Sequence, residues 1–209
     1  MVTRTRRRLV RIGVAVAVTS AALAWLAVVD AGSEALRSPA ASAGQVMVPG
    51  LDGVPVEPFA PARGIEATVL LFVMTDCPIS NRYAPEIRRL HDEFAGTVRF
   101  WLVYVDAERP LDELREHHSS FGYPFRAVRD ADGALVALAG ATVTPEVAVF
   151  DPDRRMTYRG RIDDRYVSFG VARRAPRTRD LRDRLSRIAA GETLTFSETR
   201  AVGCYIPGA

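Results

Sequence analysis

Few residues in this 209-residue chain are of the types that do covalent chemistry. There are two cysteines, Cys77 and Cys204, and three histidines, His91, His117 and His118. Cys77 stands in T-D-C-P-I-S-N-R-Y-A-P-E-I, running from Thr75 to Ile87. The apolar run Ala67 to Met74 precedes it, and a helix-spaced stripe of Ile79, Tyr83, Ile87, Leu90 and Phe94 follows. A cysteine between the end of a buried strand and the start of a helix faces converging backbone N–H groups and the positive end of the helix dipole. Both favour thiolate over thiol, and the thiolate is the nucleophile. The bland alternative is a small buried hydrophobe, but Pro78, Ser80 and Asn81 make the neighbourhood polar and turn-forming. Glu86 is a candidate proton acceptor. Asp76, if close, opposes thiolate formation.

The histidines point elsewhere. His117 and His118 are adjacent and point apart on a helix, and His91 reads as part of a solvated helix face. Two distant cysteines make no metal spacing, so no metal site is expected. Gly160-Arg-Ile-Asp-Asp164 reads as a surface turn rather than a working acid pair.

The elements that must hold Cys77 follow from hydrophobic pattern. Ala67 to Met74 is apolar throughout, as a strand buried on both faces should be. The helix after Cys77 stops at Gly96, and Val98 to Val105 is a second strand ended by Asp106. Pro110 to Ser119 reads as a short helix with proline in its first turn. After the loop Phe121 to Phe125 comes a short helix, Ala134 to Ala139. Glu146 to Phe150 and Met156 to Gly160 read as strands joined through Asp151-Pro-Asp153. Thr178 caps a last helix whose Leu181, Leu185 and Ile188 face inward, with Gly191 as its stop. A parallel crossover followed by an antiparallel pair predicts an α/β fold with a mixed sheet and helices on both faces.

Charge concentrates at the start. The chain carries +3 overall, all 28 basic residues are arginine, and the first 43 residues hold six arginines against Asp30 and Glu34. The remainder is therefore close to neutral, which argues against a nucleic-acid partner. Thr5-Arg6-Arg7-Arg8 opens a basic region, and Gly13 to Val29 is apolar. That is the physical form of an export signal or of a retained N-terminal membrane anchor. The Thr-Arg-Arg order also resembles a twin-arginine signal, and Ala41-Ser42-Ala43 fits a small-x-small cleavage site. The expected organisation is a signal or anchor over 1–29, a linker over 30–46, a folded domain over 47–191 and a C-terminal arm over 192–209. The folded part is expected outside the inner membrane, where disulfide chemistry is permitted.

From about Val54 to Ala190 the chain resembles the thioredoxin superfamily, most closely its exported redoxin-domain proteins. The resemblance lies in the strand, Cys77-Pro78-Ile79-Ser80, the helix with Pro85, and Thr144-Pro145 standing before the strand Glu146 to Phe150. It implies a three-layer α/β/α sandwich. It also implies a cis Pro145 packed against Cys77, with Thr144 offering backbone to a substrate and Pro78 and Ser80 flanking the sulfur. Thiol–disulfide exchange with protein thiols or disulfides, a small thiol or a peroxide follows as the expected activity, with no bound cofactor.

Departures from the pattern are plain. Ser80 replaces the second cysteine of Cys-x-x-Cys, Leu71 stands at the buried acidic position, and Asp76 replaces the aromatic before the cysteine. Cys204, in a glycine-flanked C-terminal arm, can fold back as a resolving thiol. An intermolecular bond or an inert tail thiol are its other fates.

Two rivals share this fold. A thiol peroxidase of the peroxiredoxin type also uses a C-terminal resolving cysteine, but Thr75 is two rather than three residues before Cys77. Its arginine would have to come from Arg126 or Arg159. A copper chaperone needs a second nearby cysteine and a later histidine, and none follows His118. A non-catalytic binding module in the cell envelope, holding its partner beside Pro145, is the remaining class. The arginines from Arg165 to Arg187 read as a solvated face.

Overall fold

The computed structural model describes residues 45–209. The predicted signal or anchor, the cleavage motif and nearly all of the linker lie outside the described residues. Among those described, no helix is long and apolar enough to cross a membrane.

The described residues open with a small hairpin, β1 (Val48–Pro49) against β2 (Pro55–Val56). Then come β3 (Ala67–Val73), helix α1 (Pro78–Phe94), β4 (Val98–Tyr104), α2 (Leu111–Ser120) and β5 (Ala127–Arg129). The second half contains α3 (Ala134–Ala139), β6 (Val143–Thr144), β7 (Glu146–Phe150) and β8 (Met156–Gly160). It closes with a hairpin of β9 (Tyr166–Ser168) and β10 (Val171–Ala172), α4 (Asp180–Ala189), β11 (Ser197–Glu198) and β12 (Cys204–Tyr205).

The central sheet has the order β11-β8-β7-β3-β4-β5. Strands β3, β4 and β5 are parallel. β7 runs antiparallel to both β3 and β8, and β11 is parallel to β8. All seven residues of β3 are buried, because both sheet faces are covered. Val69, Leu71 and Val73 pack with α1, α4 and Leu114 of α2. Leu70 and Phe72 pack on the opposite side with α3 and Val48 and Val56 of the first hairpin. The expected mixed sheet with helices on both faces is therefore the observed architecture.

Two details depart from the sequence reading. β5 is a three-residue strand between Phe125 and Ala134, where the sequence assigned no element; it forms because β4 offers it a parallel edge, pairing Leu102 with Ala127. Thr178 does not cap the last helix. Arg179 holds the cap position without a side-chain bond, while the Thr178 hydroxyl donates to the Asp180 carboxylate at 3.1 Å. Helix α1 runs through Pro85, as the helix-spaced stripe from Ile79 to Phe94 implied.

The arginine-rich C-terminal half is largely paired within the chain rather than simply solvated. Arg182 meets Glu93 at 2.7 Å and Arg179 meets Glu86 at 3.1 Å, tying α4 to α1. Arg187 pairs with Glu192 at 2.8 Å. Arg174 and Arg177 remain exposed.

Candidate functional site

Cys77 occupies the N-cap of α1 in an extended conformation, with φ −78° and ψ 107°. Ser, Thr or Asp usually serve there by accepting an orphan amide of the first turn. In this chain the sulfur does so, accepting from the Ser80 amide at 3.5 Å. Pro78 takes the first helical position, where its missing N–H is no loss.

Across from it, the Thr144–Pro145 peptide bond is cis, and the Cys77 thiol donates to the Thr144 carbonyl at 3.0 Å. Cys77, Ser80 and Thr144 are all fully buried. The Ser80 and Thr144 hydroxyls lie beside the sulfur and have no partner of good geometry. They are therefore free to turn toward it when it is charged.

Cys204 completes the cluster. Strand β12 pairs antiparallel with β6, setting Cys204 opposite Thr144 and Tyr205 opposite Val143. Cys204 is half-buried beside the Cys77 sulfur, and both cysteines are free thiols. Burial by itself pushes the Cys77 thiol up. The neighbouring Cys204 thiol and the Ser80 and Thr144 hydroxyls, with the Ser80 amide, favour the thiolate, outweigh that and hold it below the ordinary thiol value. Burial, then its closeness to Cys77, push the Cys204 thiol up to about 12. The arrangement sets one sulfur to ionise first and the other to keep its proton.

A polar chain beneath the turn, which sequence reading missed, holds Cys77 in place. The Thr75 amide and hydroxyl both donate to Asp106, at 3.0 and 3.2 Å. The Asn81 side-chain amide donates to the Thr75 carbonyl at 2.9 Å. The Asn81 carbonyl oxygen in turn contacts His117 Nε2 at 2.9 Å, and His117 Nδ1 contacts the Tyr104 hydroxyl at 2.8 Å. An acceptor at Nε2 and a hydroxyl at Nδ1 fit the neutral Nε2–H imidazole. In the sequence, Asp106 marked only a strand end and Asn81 only a turn, since their partners come from other elements.

This chain has a pH consequence. Burial, then the nearby His118, lower the His117 imidazole to about 4. The unfolded chain takes up a proton near the ordinary value of 6.5 while the folded chain does not. Stability from this group is therefore complete above that value and lost as pH falls toward 4, by about 3 kcal/mol in all. Urea unfolding across this range should show a steeper loss for the natural chain than for His117→Gln. Parallel slopes would refute the assignment.

Other residues weighed from the sequence lie elsewhere. Glu86 is buried and ion-paired with Arg89 and Arg179, so it is no free proton acceptor. Asp76 points to solvent, with Arg109 at 3.8 Å. Arg126 stacks over Trp101 at 5.1 Å, and Arg159 donates to the Ala139 and Gly140 carbonyls and pairs with Glu198. Neither arginine serves Cys77. His91 is not on a solvated face: it stacks on Phe125 at 5.2 Å and meets Phe100 edge-on. Asp163 and Asp164 are buried rather than in a surface turn. Asp163 accepts from the Tyr83 hydroxyl, and Asp164 accepts the Arg177 and Thr178 amides at 2.6 and 3.0 Å, so they organise the loop before α4.

Residues 64–156 match the model of a family described as thioredoxin-like. No curated protein matches the chain. Among solved structures, an uncharacterized conserved protein from Geobacillus kaustophilus is 23% identical with a TM-score of 0.68, covering 80% of this chain and 92% of its own. A hypothetical protein from Sinorhizobium meliloti is 21% identical with a TM-score of 0.66, covering 79% and 91%. The thioredoxin domain of a thiol-disulfide oxidoreductase from Bacteroides vulgatus is 14% identical with a TM-score of 0.51, covering 71% and 95%. At these identities the likeness establishes the fold, and it is thioredoxin-like.

Proposed function

We propose that this protein of the thioredoxin superfamily is an exported thiol–disulfide oxidoreductase in which Cys77 attacks and Cys204 resolves. The observation that carries the reading is the pairing of Cys204 with Thr144, which brings the second thiol of the chain against the first. The name of the Bacteroides vulgatus neighbour supports it. So does the basic, apolar leader over 1–29, followed by a linker over 30–46, a domain over 47–191 and an arm over 192–209.

The chemistry runs in two displacements. The Cys77 thiolate attacks one sulfur of a protein or small-molecule disulfide, forming a mixed disulfide and expelling the other sulfur as thiolate. Cys204 then loses its proton, attacks Cys77 and expels the second substrate thiol. The pair loses two electrons and two protons, and the substrate disulfide becomes two thiols. The reverse sequence oxidises a substrate dithiol. Forming the mixed disulfide removes the Cys77 charge, and with it one of the causes that hold the Cys204 proton. Pro145 and the Thr144 backbone shape the substrate side of the site. Pro78 and the Ser80 hydroxyl flank the sulfur. No bound cofactor is needed.

The test is a non-reducing peptide map of acid-trapped protein after exposure to a small disulfide. The expected product is one intramolecular Cys77–Cys204 bond per chain, while Cys204→Ser accumulates a mixed disulfide on Cys77. Should both thiols stay free, with Cys77 alkylating no faster than an ordinary cysteine, the binding-module reading replaces this one. A bond formed by peroxide but not by disulfides would favour the peroxidase.

A further inference from the structure

The segment after α4 is held along its length. β11 adds a parallel edge to β8. The Thr199 amide donates to the Arg159 carbonyl at 3.0 Å, and its hydroxyl accepts the Arg161 amide at 3.1 Å. The arm then crosses to β6. There the Ile206 amide donates to the Thr142 carbonyl at 3.0 Å, and the Ile206 side chain is buried in the core on the α3 side of the sheet. Between these ties lies Gly203. A Cβ at Gly203 would stand 1.9 Å from the Thr144 carbonyl oxygen and 2.5 Å from its carbon. Only glycine lets the arm backbone lie that close to the Thr144–Pro145 peptide.

Resting on the exchange reading above, we infer that the C-terminal arm is a strap that occupies, in cis, the strand edge beside Thr144, and that Gly203 is the residue that lets it close. β12 takes the place of an incoming extended polypeptide, and the Cys204 sulfur stands where that polypeptide's sulfur would be attacked. The consequence is selectivity by size. Cys77 has no exposed surface under the strap, so a small disulfide reaches it through local opening, whereas a folded protein substrate must displace β12. The hold suits a device that opens: β12 pairs over two residues, and its Tyr205 is 84% exposed. Opening and closing of such short terminal elements belongs to the low-stability end of a fold's local motions.

The reduced full chain is alkylated with iodoacetamide and, separately, with a maleimide carrying a long polyethylene glycol chain, and Cys77 modification is followed by mass. The ratio of the two rates reads the strap; the iodoacetamide rate reads the reactivity of Cys77, so the two proposals fail separately. In Gly203→Val and in Ile206→Ser the ratio should shift toward the bulky reagent by roughly tenfold or more, as a weakened local closure allows. Cys204→Ser should stay shielded, because backbone pairing holds the strap. If Gly203→Val loses its fold by circular dichroism, Ile206→Ser decides. A bulky-to-small ratio unchanged in the folded variants, or already equal to that of an exposed cysteine in the natural chain, overturns the inference.

Discussion

Cys77→Ser should lower the rate of disulfide exchange by roughly a thousandfold or more, because the nucleophile is the thiolate and a serine hydroxyl does not ionise near neutral pH. The fold should not suffer. Serine is a preferred N-cap residue, and its oxygen can accept the Ser80 amide that the sulfur now accepts. The natural thiol lies below its ordinary value. Its exchange rate should therefore rise at lower pH than that of a free cysteine. The measurement is release of thiol from a small disulfide across a pH series, with the melting temperature taken alongside. An unchanged rate in Cys77→Ser would transfer the chemistry to another residue or to none.

Gly160→Ala should produce a large loss of stability. Gly160 adopts φ +141°, and its new Cβ would lie 2.1 Å from the Thr199 carbonyl oxygen and 2.3 Å from the Thr199 hydroxyl. Backbone cannot yield as a side chain end can, so β8 and the arm must separate, at a cost of about 3 kcal/mol. Gly191→Ala is the matched comparison. Its φ is +83° and its Cβ would meet nothing within 4 Å, so the cost is only conformational, about 1 kcal/mol. Because Thr199 ties the arm just before Gly203 and Cys204, Gly160→Ala should also lower the yield of the Cys77–Cys204 bond. Chemical denaturation of the two variants checks the first part, and the peptide map checks the second. Equal losses in both variants would show that the arm is not packed against β8 as described.

How much of this was legible depends on whether the deciding partners are near in sequence. The run Ala67 to Met74 could be read as a strand buried on both faces because its own residues are apolar at every position. The start of α1 at Cys77 could be read because the apolar spacing changes there from continuous to helical, with Pro78 at the first turn. His91, Asp163 and Asp164 misled for the opposite reason. Each is polar, and polarity suggests solvent. Their burial is set by groups far along the chain: the rings of Phe100 and Phe125 for His91, Tyr83 for Asp163, and the Arg177 and Thr178 amides for Asp164. The strand β5 was hidden because Ala127-Val-Arg129 has no pattern of its own and is a strand only beside β4.

By itself, then, the sequence determined the α/β class, the two covered faces of the sheet, and a cysteine at the junction of a strand and a helix. All three follow from local periodicity and local turn chemistry. Only the tertiary structure decided which groups surround that sulfur. The chain from Asp106 to His117, the cis Thr144–Pro145 carbonyl and the Cys204 thiol arrive from four separate elements. The last arrives only because a glycine permits one backbone to lie against another. Periodicity records which face a residue turns inward; it does not record which distant backbone that face will meet.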